Sequence, residues 1–415
     1  MGKLSYRLFI LFYSIFIRFA SLFNQKARLF LRGRKNLLPR LEQDLKQKEV
    51  PLAWFHCASL GEFEQGRPII ESFRKQFPQY EILLTFFSPS GYEVRKNYDQ
   101  ADYIYYLPID SAYNATKFLD ITNPELAIFV KYEFWHYYLK ELNQRNIPIL
   151  SVSSIFRADQ IYFKGYGSFQ RKILSHVTHF FVQDLNSKKL LDSISINDVT
   201  VSGDTRFDRV ASIVKQKKDI SHIDSFKGTE KLFIVGSCWP EDFDVLLPLI
   251  NDSSIKFIIA PHEIENKFMN KIENEVARKA IRYSQVNDST DLSDHQVMII
   301  DNVGMLSSLY GYGDFAYIGG AFGQGLHNIL EAATFGLPIF FGNKNYTKFR
   351  EAVDLVNLGG AVAVDNYDEL RSQFYQFMQT KTYTIASKVN EDYVKGHIGA
   401  TDKIIQYCKT VCNEG

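Results

Sequence analysis

Twice along this chain, short β-rich apolar runs alternate with amphipathic helical stretches, and that double alternation restricts the fold more than any other feature. The first series of predicted strands is Leu52–Cys57, Ile82–Phe87, Tyr103–Leu107, Leu126–Val130, Ile147–Val152, Phe180–Val182 and Val199–Ser202. Helical patterns near 62–77, 89–97, 111–119, 133–144, 165–175 and 185–193 lie between them. Residues 205–231 are charged and weakly patterned, and then the alternation restarts. The second series is Leu232–Val235, Phe257–Ala260, Val297–Ile300, Phe315–Ile318, Pro338–Phe341 and Ala361–Val364. Its helical patterns fall near 240–249, 264–278, 304–311, 327–335, 348–357, 366–378 and 384–410. Such an order predicts an α/β protein with parallel sheets covered by helices on both faces. Two Rossmann-like domains joined by a linker place a ligand cleft between the carboxyl ends of their strands. The expected boundaries are an anchoring helix at 1–24, a first domain at 25–211, a linker at 212–231, a second domain at 232–390, and a terminal helix and tail at 391–415.

Length agrees, since 415 residues at ~150 per domain make two or three domains. A hydrophobic share of 46% excludes a disordered chain. With 48 Lys+Arg against 47 Asp+Glu, the net charge of +1 provides no global attraction for nucleic acid, so an anionic partner must be met by a local patch. Four cysteines are too few for a disulfide scaffold and point to a reducing compartment. Cys408 and Cys412 lie one helical turn apart with no His or third Cys beside them, which reads as inert rather than metal-binding.

The N-terminus departs from a soluble pattern. Residues 8–17 are nearly all apolar, and Arg18 interrupts before Phe19 to Phe23. The run is short for a span of ~20 residues unless Arg18 snorkels, and no small-x-small site marks a cleaved signal. On a helical wheel Lys3, Arg7, Ser14, Arg18, Ser21 and Arg28 form one narrow polar stripe on a broad apolar helix. That pattern suits a helix lying in a membrane interface; a single-pass anchor and a core helix of the first domain are the alternatives. Lys26, Arg28, Arg32, Arg34, Lys35 and Arg40 follow with no acid until Glu42, as an anionic leaflet would favour.

The chemistry must come from strand ends. There is no G-x-x-x-x-G-K-[ST], no early G-x-G-x-x-G, no H-E-x-x-H and no G-x-S-x-G. In Ala58-Ser59-Leu60-Gly61-Glu62 a strand turns into a helix that begins with Glu62. Position alone leaves this acid open between a dipole-stabilised helix start and a general base at a cleft mouth. Glu133 ends an apolar strand beside Trp135, where an unpaired charge would be costly, and so reads as a site residue. Arg206, within Ser202-Gly203-Asp204-Thr205-Arg206-Phe207-Asp208, can grip a phosphate or carboxylate; a surface contact with Asp208 is the plain alternative. The richest segment runs from Gly319 to Ala333, with four glycines, His327, Asn328 and Glu331. Glycines let a ligand approach the backbone, helix-start amides favour an anion, and an acid one turn on suits a ribose diol. A capped βα turn explains one or two of those glycines but not four with an aligned acid.

Taken together, these segments resemble the bacterial Kdo transferases, which attach 3-deoxy-D-manno-oct-2-ulosonic acid (Kdo) from CMP-Kdo to the lipid A precursor. The resemblance covers nearly the whole chain. It is carried by A-S-L-G-E at 58–62, Y-E-F-W at 132–135, S-G-D-T-R-F-D at 202–208, the Gly304–Leu306 turn and G-G-x-x-x-x-G-x-H-N-x-L-E-A-A at 319–333. It implies a GT-B fold, two Rossmann-like domains facing across a cleft, with a membrane-associated N-terminal helix. By the same resemblance Glu62 is the catalytic base, and Glu133 and Arg206 stabilise the transition state. CMP contacts fall on Pro261, His262, Gly304, Met305, Leu306, Asn328, Ile329, Leu330 and Glu331. The implied reaction is inverting displacement at the anomeric carbon of Kdo. Expected partners are CMP-Kdo, the lipid A precursor and an anionic inner-membrane surface on the cytoplasmic side, without nucleic acid. No cofactor is expected, and no paired-Asp motif for a divalent ion is present.

Four departures from the family pattern stand out. Pro261-His262-Glu263 stands where Pro-Arg-His is common, so a strong cation is lost. Arg206 replaces a usual Lys and offers a planar fork. Glu133-Phe134-Trp135-His136-Tyr137 replaces Glu-Leu-Trp-Pro-Asn, and Gly304-Met305-Leu306 replaces Gly-Glu-Leu. Another GT-B transferase would share the 319–333 loop but not the 58–62 and 202–208 segments together. A nicotinamide oxidoreductase would need the missing early glycine motif, and a catalytically dead scaffold would fail a transfer assay.

Overall fold

A computed structural model of the chain describes residues 2–46, 48–215 and 219–412; residues 216–218 of the expected linker and the last three of the tail lie outside it. The chain forms two compact units. One comprises Met1–Arg209 with Ile398–Gly415, the other Val210–His397.

In the first unit β1 (Leu52–Cys57), β2 (Glu81–Phe86), β3 (Tyr103–Tyr106), β4 (Leu126–Val130), β5 (Ile149–Ser154), β6 (His179–Val182) and β7 (Val199–Val201) form one sheet, ordered β3-β2-β1-β4-β5-β6-β7. All its pairings are parallel, with Phe55 opposite Leu84 on one side and Ile128 on the other. Every residue of β1 and β4 is buried, because helices cover both faces of a parallel sheet. Alternate residues feed two cores. Leu52 and Trp54 enter one, while Ala53, Phe55 and Cys57 enter the other, together with Ile404, Ile405 and Cys408 from the chain's last helix.

The second unit repeats the plan. Strands β8 (Leu232–Cys238), β9 (Lys256–Pro261), β10 (Lys279–Arg282), β11 (His295–Ile299), β12 (Phe315–Ile318), β13 (Ile339–Gly342) and β14 (Ala361–Val364) are ordered β10-β11-β9-β8-β12-β13-β14, again parallel throughout. The edge strand β10 is not apparent in the sequence, because only Ile281 of its four residues is buried. The helix expected over 384–410 is two helices, Thr380–His397 and Ala400–Cys412. They break at Ile398-Gly399, where Gly399 takes φ +105° and the chain returns to the first unit.

At the N-terminus lie α1 (Lys3–Ala20), α2 (Gln25–Arg34) and α3 (Leu37–Leu45). Asn24 caps α2 by accepting from the Ala27 amide at 3.1 Å. No residue of α1 is buried, although Tyr6 packs against the first unit's core. Among the described residues no single helix is long and apolar enough to cross a membrane; α1 and α2 pass that test only together, with a bend of 119° between them. α1 docks along one flank of its polar stripe, where Tyr6, Ile10, Tyr13, Ser14 and Ile17 are half-buried: the Tyr6 hydroxyl donates to Asp110 and Arg7 Nε donates to the Tyr137 hydroxyl at 2.7 Å. Its apolar side stays open, with Leu4, Phe9, Phe12, Phe16 and Phe19 each at least 60% exposed. Arg34 leaves the basic cluster. Its guanidinium lies 3.6 Å from the Phe30 ring and donates to the Phe87 and Leu107 carbonyls, and burial lowers its pKa to about 9.

Candidate active site

Each sheet reverses its strand order at one point, between β1 and β4 in the first unit and between β8 and β12 in the second. Connections from such neighbouring strands leave towards opposite faces, and the crevice that opens beyond their carboxyl ends is the usual ligand position of an open α/β sheet. All the sequence-predicted residues lie on segments that leave these sheets or close against them.

In the first unit Glu62 occupies the first turn of α4 (Leu60–Gln76), immediately after β1. Ser59, the N-cap, donates its hydroxyl to the Glu62 carboxylate and makes no bond to a helix amide. Lys131 Nζ lies 3.5 Å from the other carboxylate oxygen. Beyond β4, Glu133 accepts from Trp135 Nε1 at 2.8 Å and lies 3.4 Å from His56 Nε2. Trp54 Nε1 donates to Thr85 Oγ1 at 2.8 Å, and His56 Nδ1 lies 2.8 Å from that hydroxyl and 3.1 Å from the Thr85 carbonyl, with Nε2 facing Glu133. Both carboxylates sit near Cys57, whose thiol is pushed well up by burial and then by Glu62 and Glu133, so it stays neutral and unreactive.

Arg206 opens the helix Thr205–Lys215 and is chelated by Asp204, through its backbone N at 2.9 Å, Nε at 2.8 Å and Nη2 at 2.7 Å. Asp208 serves another purpose, accepting the Gly399 and Thr401 amides at 2.6 Å each. Thr205 Oγ1 donates to the Gln65 carbonyl at 2.6 Å, which ties the Arg206 turn to α4 three residues past Glu62.

In the second unit Pro261 ends β9, and the His262 amide donates to the Cys238 carbonyl at 2.9 Å. The His262 ring stacks between Trp239, with centroids 4.5 Å apart, and His327 at 4.3 Å. Burial and the neighbouring His262 hold the His327 pKa down at about 4, and its Nε2 accepts from Trp239 Nε1 at 3.1 Å, so its proton is on Nδ1. Asn328 Nδ2 donates to Glu331 Oε1 at 3.1 Å, while Asn328 Oδ1 accepts the Leu330 amide at 3.2 Å. Ile329 and Leu330 are buried, so a ligand can reach them only through the backbone. Gly304 takes φ +93° and opens the turn through Met305 into the helix Leu306–Leu309. That turn closes on β8, where a Cβ on Gly236 would overlap the Tyr310 hydroxyl and come within 3.1 Å of Leu306. Burial, and then Glu331, raises the Tyr310 hydroxyl well above its ordinary range, which places Glu331 in the same corner.

Several contributors were not singled out from the sequence. Asp242, fully buried, accepts the Gly320 amide at 2.9 Å, the Trp239 amide at 3.0 Å and the Tyr317 hydroxyl at 3.0 Å, and so joins the glycine loop to the end of β8. The pattern Trp239-Pro240-Glu241-Asp242 was its available signal, since a proline and an acid in the first turn mark a capped helix start. His56 and Lys131 carry no such pattern. Among the described residues no group of three or more His, Cys, Asp or Glu side chains is placed to hold a metal ion.

Two parallel seven-stranded sheets in separate units, with polar residues at both switch points, give the chain a fold of GT-B type. Its fold is similar to that of UDP-GlcNAc 2-epimerase from Neisseria meningitidis, with TM-score 0.61 and 16% identity over 88% of this chain and 99% of that one. Residues 31–209 match the family model of the 3-deoxy-D-manno-octulosonic-acid transferases. Among relatives, the 3-deoxy-D-manno-octulosonic acid transferase of Chlamydophila psittaci is 24% identical over 351 residues, 81% of this chain and 80% of that one. That of Rickettsia felis is 28% identical over 330 residues, 77% of this chain and 70% of that one. Across its first unit and along most of its length, the chain is thus similar to the Kdo transferases.

Proposed function

We propose that the chain transfers Kdo from CMP-Kdo to the lipid A precursor by a single inverting displacement, with Glu62 as general base. The observation that supports this reading best is the environment of Glu62: a first-turn carboxylate at the β1/β4 switch point, held by Ser59 and Lys131 and kept about 20% exposed at the side chain. A carboxylate there can take a proton from an acceptor hydroxyl as that oxygen attacks the anomeric carbon. A Glu is a weak base for an alcohol, so proton transfer is late and concerted, worth roughly 10²–10⁴-fold. Glu133, fixed by Trp135 and His56, faces the positive charge that develops on the sugar ring, and Arg206 offsets the charge of departing CMP.

CMP is assigned to the second unit. Glu331, oriented by Asn328, takes the ribose diol. The backbone at Gly304, Met305, Leu306, Ile329 and Leu330 supplies hydrogen bonds, and His262 on its aromatic stack supplies a face beside Pro261. No metal is assigned a role, because the cations of this reading are side chains. The exposed apolar face of α1 is proposed to lie in the cytoplasmic leaflet of the inner membrane. There Lys26, Arg28, Arg32, Lys35 and Arg40 would meet anionic headgroups at ~1 kcal/mol each.

Incubation with CMP-Kdo and the tetra-acyl lipid A precursor, with added sugars counted by mass, tests the transfer. In the same assay Glu62→Gln should lower turnover at least ~100-fold with CMP affinity little changed. Glu331→Ala should instead weaken CMP binding, by ~1–3 kcal/mol for a lost charged hydrogen bond. Near-normal turnover in Glu62→Gln would remove Glu62 from the base role and leave Glu133 as the next carboxylate to examine.

A further inference from the structure

Lys131 has a backbone that a lysine does not ordinarily choose. It follows the last residue of β4 with φ +65°, in the left-handed region that glycine and asparagine enter most easily. Such a conformation in a long-chain residue persists only where the surroundings impose it, and it is found most often at functional sites. Here the surroundings are explicit. The Lys131 amide donates to the Val152 carbonyl at 2.9 Å. Its carbonyl accepts from Ser154 Oγ at 3.0 Å, and Ser154 is joined to Ser151 at 2.6 Å, both serines being fully buried. The irregular register of β5 between Ser151 and Ser154 turns these hydroxyls towards β4. Between them Ser153, itself at φ +53°, bonds Thr205 at 2.7 Å, and Thr205 bonds the Gln65 carbonyl of α4. A buried hydroxyl network thus locks the end of β4, the bulge of β5 and the helix carrying Glu62 to one another.

Glycine would satisfy that backbone without strain, yet the position carries a lysine whose ammonium reaches 3.5 Å from Glu62 Oε1. From this geometry we infer that Lys131 is the positioning residue of Glu62. With Ser59 on one carboxylate oxygen and Lys131 on the other, the carboxylate is fixed from two elements. It is held in one orientation for the arriving acceptor hydroxyl, with the Lys131 side chain beside the reacting groups. The inference rests on the base reading of Glu62 given above. Lys131 acts through Glu62, so its loss must appear in turnover and not in donor binding.

Lys131→Gly is the discriminating variant, because it deletes the ammonium while relieving the strained backbone. The expected result is a melting temperature equal to or above that of the parent. Turnover at saturating donor and acceptor should fall at least tenfold, with KM for CMP-Kdo and the affinity for CMP unchanged. Propylammonium ion added to Lys131→Gly should restore part of the lost turnover, and Lys131→Arg should retain most of it. Lys131→Asn, which also tolerates positive φ, controls for a loosened glycine backbone and should lose as much turnover as Lys131→Gly. The inference is overturned if Lys131→Gly keeps full turnover while Glu62→Gln is inactive, if Lys131→Asn is fully active, or if the loss lies in CMP binding. Full turnover in Glu62→Gln would instead break the base reading, which is a separate result.

Discussion

Tyr6, Asp110 and His136 meet beneath α1, and burial moves the last two in opposite directions. The Asp110 carboxyl is raised to about 6 by burial, although it accepts from Tyr6 and from the Tyr137 and Tyr138 amides. The His136 ring, with neither nitrogen partnered in the described structure, is lowered to about 4, by burial and then by the nearby Lys3. Unfolded chain binds a proton at His136 from about pH 6.5 downward while folded chain does not, so this group costs stability as pH falls towards 4. Asp110 has the opposite sign: its contribution is present below about pH 4 and is lost as pH rises through 6. His136→Phe should therefore lose less stability than the parent between pH 7 and pH 5, read as urea midpoints at the two values. An unchanged difference between the midpoints would show that His136 does not carry the acid sensitivity. At this scale the sequence is only partly legible. Glu62 and Glu133 can be picked out because each is a carboxylate a few residues beyond an apolar strand, one at a helix start and one beside Trp135. Lys131 cannot, since its conformation is imposed by Ser151 and Ser154, twenty and more residues away.

Among the elements, α1 shows what a periodicity can and cannot say. The stripe of Lys3, Arg7 and Ser14 is plain on a helical wheel, but a wheel does not say which side docks. Tyr6 and Arg7 settle it by bonding Asp110 and Tyr137, which leaves the phenylalanines outward. Strands β1 and β4 could be read from sequence because full burial makes continuous apolar runs, whereas β10, with one buried residue, could not. Removing residues 1–24 should leave a folded protein, because no residue of α1 is buried and its contact with the core is through half-buried side chains such as Tyr6. The truncated protein should retain CMP binding and the cooperative melting transition, yet transfer poorly to acceptor held in vesicles. Loss of the transition would mean that α1 supports the first unit, and undiminished transfer to vesicle-held acceptor would remove its membrane role.

On the scale of the whole molecule, the path of the chain couples its end to its beginning. After residues 210–397 build the second unit, the chain returns, and the helix Ala400–Cys412 buries Ile404, Ile405 and Cys408 in the core beneath β1 and α4. Asp208 accepts the Gly399 and Thr401 amides where that helix begins, so the last residue types of the 202–208 segment serve the return and not the site. A sequence reading places the terminal helix but not its destination, because an amphipathic face does not name its partner. Deleting residues 398–415 should consequently destabilise the first unit. Fully burying an isoleucine is worth ~1.5–3 kcal/mol, so two of them plus the lost cap approach the whole stability of an ordinary domain. Among the described residues the second unit contributes none to that core, and it should keep its fold. Denaturant unfolding followed by tryptophan fluorescence would separate the two, since Trp54 and Trp135 report the first unit and Trp239 the second. The truncated chain should show the Trp54 transition shifted to lower denaturant while CMP still binds. An unshifted transition would mean that the returning helix only covers a surface the first unit can leave bare.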